Sequence, residues 1–130
     1  MIIGMDLDGV ITKETVGWTP EYYSSCHPNT DTINVMKEFN KKGYKIIIYT
    51  SRLSNEVKAE TIQWLNKYDV PYDAIHFDKP LYDFYVDDRG ISIWKLKRML
   101  LDDKSKNGGK IKNWMMICLG GKDDELKNND

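Results

Sequence analysis

Residues 44 to 50, YKIIIYT, are apolar on both faces of an extended chain. Such a strand needs cover on both sides, as a central strand of a parallel sheet has. The flanking sequence repeats the theme. MIIGMDL, residues 1 to 7, suits a short buried strand. DTINVMKEFNKKG follows after a loop, with Asp31 placed to cap a helix and Gly43 placed to stop it. Ile33, Met36 and Phe39, helped by Val35, give that helix one apolar side. Ser54 is placed to cap a second helix, over NEVKAETIQWLNKY, whose Val57, Thr61, Trp64, Leu65 and Tyr68 share a side. YDAIHF and DFYVDD read as short strands, and ISIWKLKRMLL as a third helix. Alternating strands and helices predict an α/β fold with a mainly parallel sheet. Sheets of this kind place ligands just beyond the carboxyl ends of their strands.

At 130 residues the chain fits one domain with a real core. That core is expected over residues 1–103. Residues 104–130 read as a linker, a possible last strand in WMMICLG, and a polar tail of the same domain. Residues 11 to 30 lack a period and carry Pro20 and Pro28, so they read mainly as loop. A net charge of −1 gives no field to gather nucleic acid, and no apolar run is long enough to span a membrane. Cys26 and Cys118 are the only cysteines and lie far apart, which suits free thiols in a reducing compartment. The start of the chain has no secretory signature, so the cytoplasm is the expected location.

The acidic strand ends hold the chemistry. Asp6 and Asp8 lie two apart where the first strand runs out, so they share a face. Asp87 and Asp88 close another expected strand, and Thr50 closes a third, followed by Ser51 and Arg52. An aspartate after a strand is as readily a cap or a turn former. Four of them on two apolar strands, beside a hydroxyl, are harder to dismiss. Crowded carboxylates repel unless a proton or cation is shared, and a hard divalent ion such as Mg2+ is the natural partner for oxygen ligands.

DLDGVIT, IIIYTSR, DKP and YVDDR, in that order, resemble phosphatases of the haloacid dehalogenase (HAD) superfamily, over residues 1 to about 100. The resemblance implies a HAD-like Rossmannoid three-layer sandwich without a separate cap domain. It implies that Asp6 is the nucleophile, forming an aspartyl-phosphate, and that Asp8 protonates the leaving alcohol and then activates water. Thr50 would hydrogen-bond the phosphoryl oxygens and Lys79 would neutralise their charge. The implied Mg2+ ligands are the Asp6 carboxylate, the Asp8 main-chain carbonyl and Asp87, with Asp88 as ligand or just behind it. Gly9, Ser51 and Arg52 fall on the substrate side. Gly9 would make the sharp turn, and Arg52 would grip a phosphate or carboxylate unless it forms a surface salt bridge instead. The fit is poorest at Lys79. Residues 78–83 are too few for a parallel connection, which needs roughly a dozen, so Lys58 is the fallback.

Neither insertion point used for caps in this family holds enough residues for a domain. An open site suits a bulky ester: a phosphosugar first, then a nucleic-acid end or a phosphoprotein. Neighbouring subunits of a homo-oligomer are the alternative lid. Trp18, Tyr22, Tyr23 and His27 in the first loop would either stack on a substrate or, more often, pack the loop down. His27 beside Cys26 is too little for zinc. Rivals are a receiver-like phospho-acceptor, in which the order of acidic pair and Lys-Pro is reversed, a Mg2+-binding scaffold, and a phosphotransferase using the same intermediate.

Overall fold

A computed structural model describes residues 1–15, 17 and 19–105. The expected linker, WMMICLG segment and tail fall almost wholly outside the described residues, as does Cys118. The chain divides into two compact units, Met1–Tyr85 and Val86 onward.

In the first unit three strands, β1 (Ile2–Asp6), β2 (Lys45–Tyr49) and β3 (Ala74–His76), form a parallel sheet in the order β1-β2-β3. Helices α1 (Pro20–Ser24) and α2 (Thr30–Lys41) lie between β1 and β2, and α3 (Asn55–Lys67) lies between β2 and β3. The α/β reading of the sequence therefore holds at this level. The burial of β2 does not match a strand covered on both faces. Ile46 and Ile48 are buried while Lys45 and Tyr49 are exposed and Ile47 is intermediate. One face of the sheet holds the core, with Met5 and Leu7 of the first strand and its turn joining Phe39 and Met36 of α2 among the buried residues. Ile2 at the start of β1 is 67% exposed.

Local chemistry sets the helix ends. Asn29, not Asp31, caps α2, accepting from Thr32 N–H at 3.3 Å. Asp31 instead sits in the first turn, where a negative charge suits the helix dipole. Gly43 follows with φ +79°, the left-handed conformation that glycine adopts without penalty. Ser54 caps α3 as expected, accepting from Val57 N–H at 3.2 Å. The loop after β1 is more ordered than its composition suggests. Thr19 caps α1 with Pro20 at its first position, a pairing that starts helices well. Main-chain bonds join the loop's two arms: Lys13 N–H donates to His27 O at 2.9 Å, and Asn29 N–H to Ile11 O at 2.8 Å.

DFYVDD is not a strand. Residues 83–88 are irregular, Phe84 is 87% exposed, and Asp87 Oδ1 accepts from Arg89 N–H at 2.7 Å. That side-chain bond closes an Asx turn, which competes with the extended backbone a strand requires. In the second unit α4 (Ile93–Ser105) begins after Ser92, whose Oγ accepts from Lys95 N–H at 3.2 Å. Leu96, Met99 and Leu100 are buried and share one side. The helix runs past the expected boundary at residue 103.

Candidate active site

The carboxyl edge of the sheet is aligned residue by residue. Asp6 pairs in register with Tyr49, and Tyr49 with His76. Beyond Asp6 the chain turns at once. Leu7, fully buried, offers its carbonyl to the N–H groups of Val10, Ile11 and Thr12 at 3.3, 2.9 and 3.0 Å. Gly9 occupies the left-handed region at φ +79° and donates to Glu14 O at 2.7 Å. A glycine is required there for its backbone rather than for any side-chain contact.

Two main-chain bonds bring Lys79 to Asp6. Thr50 N–H donates to His76 O at 2.9 Å, and Lys79 N–H donates to Thr50 O at 3.2 Å. The segment after β3 is thereby folded back across the end of β2, and Lys79 Nζ lies 3.1 Å from Asp6 Oδ2. Tyr49 and Tyr85 flank the ammonium, with ring centroids at 5.8 and 4.9 Å. The other Asp6 oxygen accepts from Leu7 N–H at 2.8 Å, which orients the carboxylate. The Asp6 side chain is 40% exposed, so it remains open to a ligand. Lys58, the fallback, lies over the Phe77 ring at 5.5 Å instead. The connection difficulty at Lys79 also lapses within this unit, because residues 77–85 add no further strand.

Asp8 meets a different cation. Its carboxylate is buried against Arg52, with Nε 3.0 Å from Oδ2 and Nη2 2.5 Å from Oδ1. Arg52 is 4% exposed and thus neither reaches outward nor forms a surface pair. Its Nη1 donates to Thr61 Oγ1 at 2.8 Å, and its guanidinium lies 3.7 Å from the centroid of the Tyr23 ring. Thr61 donates in turn to Val57 O at 2.7 Å, and Tyr23 O–H donates to Gly17 O at 2.5 Å. Burial, with the Asp8 charge second, pushes the Tyr23 phenol above its usual range, while Arg52 opposes the shift.

The sequence offers Tyr23 only as a residue that stacks on substrate or packs the loop, and it does not single out Thr61. A threonine within the apolar stripe of α3 is the available signal for Thr61. Of the loop aromatics, Tyr23 packs down and Tyr22 is exposed; His27 is exposed and bonded to Glu14 at 2.5 Å. That bond lowers the Glu14 carboxyl below its ordinary value. Cys26 is buried, and burial pushes its thiol up. Trp18 lies outside the described residues.

Thr50 is buried at the end of β2, its Oγ1 accepting from Arg52 N–H at 3.4 Å, and Ser51 is half-buried. Asp87 and Asp88 are exposed residues of the second unit. Among the described residues no three His, Cys, Asp or Glu side chains are grouped as a metal-binding cluster. In kind, Asp6 still fits a hard cation: it is a half-exposed carboxylate at a strand end, with no sulfur ligand in the turn that follows. Among the described residues no helix is long and apolar enough to cross a membrane.

No family model matches the chain, and no curated protein matches it. Among solved structures, it resembles the crystal structure of an MCSG target from Vibrio cholerae, at 28% identity and a TM-score of 0.66. The match covers 81% of this chain and 94% of that one. The likeness supports the α/β architecture and names no activity.

Proposed function

We propose that this protein is a Mg2+-dependent phosphomonoester hydrolase of the HAD type, lacking a cap domain, that works through an aspartyl-phosphate on Asp6. One observation carries the reading: a half-exposed aspartate at the carboxyl end of β1 faces a lysine ammonium at 3.1 Å, with a second aspartate two residues on. A nucleophilic carboxylate must meet an anionic ester, and phosphate monoesters resist hydrolysis so strongly that rate enhancements can reach ~10²¹. Lys79, held beside Asp6, supplies the positive charge that makes the approach tolerable.

In this reading an Asp6 oxygen attacks phosphorus as the ester P–O bond breaks, and the leaving oxygen takes a proton from the Asp8 carboxyl. Asp8, now a carboxylate, takes a proton from water as the water oxygen attacks phosphorus. The acyl-phosphate bond then breaks, inorganic phosphate leaves and Asp6 is regenerated. Mg2+ would be held by Asp6 and the Asp8 main-chain carbonyl. It would supply charge neutralisation at the phosphoryl oxygens. Tyr49, Tyr85 and Lys79 at the rim suit a phosphosugar, since aromatic faces pack against sugar rings while the ammonium meets phosphate.

The test is phosphate release from p-nitrophenyl phosphate with Mg2+ and with chelator, beside Asp6→Asn. Metal-dependent release that falls at least about a thousand-fold in the variant is expected. Equal release from the variant would overturn the reading. So would an intact protein that neither turns over nor binds beryllofluoride at Asp6.

A further inference from the structure

The Asp8–Arg52 pair invites a second question: why bury a guanidinium behind a catalytic strand end? Stability alone is a weak answer, because a buried ion pair is commonly no more stabilising than apolar residues of equal volume. The arrangement does specify geometry. Nε and Nη2 meet the two Asp8 oxygens side by side, the planar fork that arginine forms with a carboxylate and lysine cannot. The fork is itself fixed twice. Thr61 of α3 holds Nη1, and the Tyr23 ring of α1 lies against the guanidinium face. Both supports are tied in turn to main-chain carbonyls, those of Val57 and Gly17. Arg52 itself sits just past β2, so three segments, the end of β2, α3 and α1, meet behind one carboxylate.

We propose that Arg52 is a positioning residue for Asp8, with Thr61 and Tyr23 as its braces: it fixes where the Asp8 carboxyl stands when the leaving oxygen takes its proton. The inference rests on the hydrolase reading above. It assigns Arg52 a role behind Asp8 in place of a contact with substrate.

The test exploits leaving groups. An alkyl phosphate needs a proton on its departing oxygen, whereas 2,4-dinitrophenyl phosphate departs as a stable anion without one. Arg52→Lys and Thr61→Val are compared with the intact protein on both esters, after confirming that each variant melts cooperatively. Thr61→Val retains the Arg52 and Asp8 side chains and removes only a brace.

For Arg52→Lys, kcat/KM with the alkyl ester should fall toward the ~10²–10⁴-fold that acid–base catalysis supplies. The loss in kcat/KM with the dinitrophenyl ester should stay within about threefold, because kcat/KM ends at departure of the leaving group and no proton is needed there. Thr61→Val should show a smaller loss with the same preference. Adding Arg52→Lys to Asp8→Asn should cost less than about twofold further, since residues acting as one unit are not additive.

Equal losses on both esters, or full additivity with Asp8→Asn, would overturn the proposal and leave the hydrolase reading standing. An intact protein inactive on both esters, with no beryllofluoride bound at Asp6, would remove the hydrolase reading and this inference with it.

Discussion

At single residues, two aspartates only two positions apart meet different physics. Asp6 stays half-exposed against an ammonium, and Asp8 is turned inward onto a guanidinium. Between them the chain turns at Leu7, where three N–H groups converge on one carbonyl. Tyr23 shows how closely this small core is coupled to charge. Its phenol is raised by burial first and the Asp8 charge second, so the folded state holds the proton more tightly than the unfolded chain. A raised acid of this kind stabilises below its unfolded value near 10.0 and loses that contribution as pH rises through the folded value. Thermal stability should therefore drop more steeply above about pH 10 in the intact protein than in Tyr23→Phe, which lacks the titrating group. Melting curves across that pH range would check this, and identical slopes would refute it.

Among the elements, helix starts expose the limits of reading caps from residue type. Asp31 and Asn29 are both good cap formers, and both precede the apolar stripe of α2. The structure chooses Asn29 because its main chain is already fixed: Asn29 N–H bonds Ile11 O where the two arms of the loop meet. Asn29→Ala should therefore cost about 1 kcal/mol of unfolding free energy, and Asp31→Ala clearly less, as a charge in the first turn contributes only about 0.3–1 kcal/mol when exposed. Denaturant melts of the two variants would distinguish them. The reverse order would mean that Asp31 is the cap. The failed strand at DFYVDD has the same origin: its residues have strand propensity, but the Asp87 side chain bonds Arg89 N–H two residues on and bends the chain. Pattern reading weighs neither such a local bond nor the pairing with a neighbour that a strand needs.

For the whole molecule, the sheet's two faces make unequal contributions. Ile48 is fully buried, while Ile47, its neighbour on the opposite face, is only partly so. Ile48→Ala should cost about 2–5 kcal/mol, the range for emptying a packed core position, and Ile47→Ala markedly less. Equal losses in urea melts would mean that both faces are packed. The order of the sheet's first two strands and the helices around them is legible in apolar spacing such as that of KIIIY and VKAETIQWL, because periodicity is set by the geometry of one element alone. The strand ends so placed mark Asp6, Asp8, Thr50 and Arg52 as residues of interest, and the family resemblance of the motifs adds Lys79. Which carboxylate meets which cation is a matter of packing. Lys79 reaches Asp6 through two main-chain bonds across the end of β2, and Arg52 reaches Asp8 because α3 and α1 leave it no route to water. Both pairings join residues distant in sequence, and pairing at such distance depends on how the elements pack rather than on how any one of them is spelled.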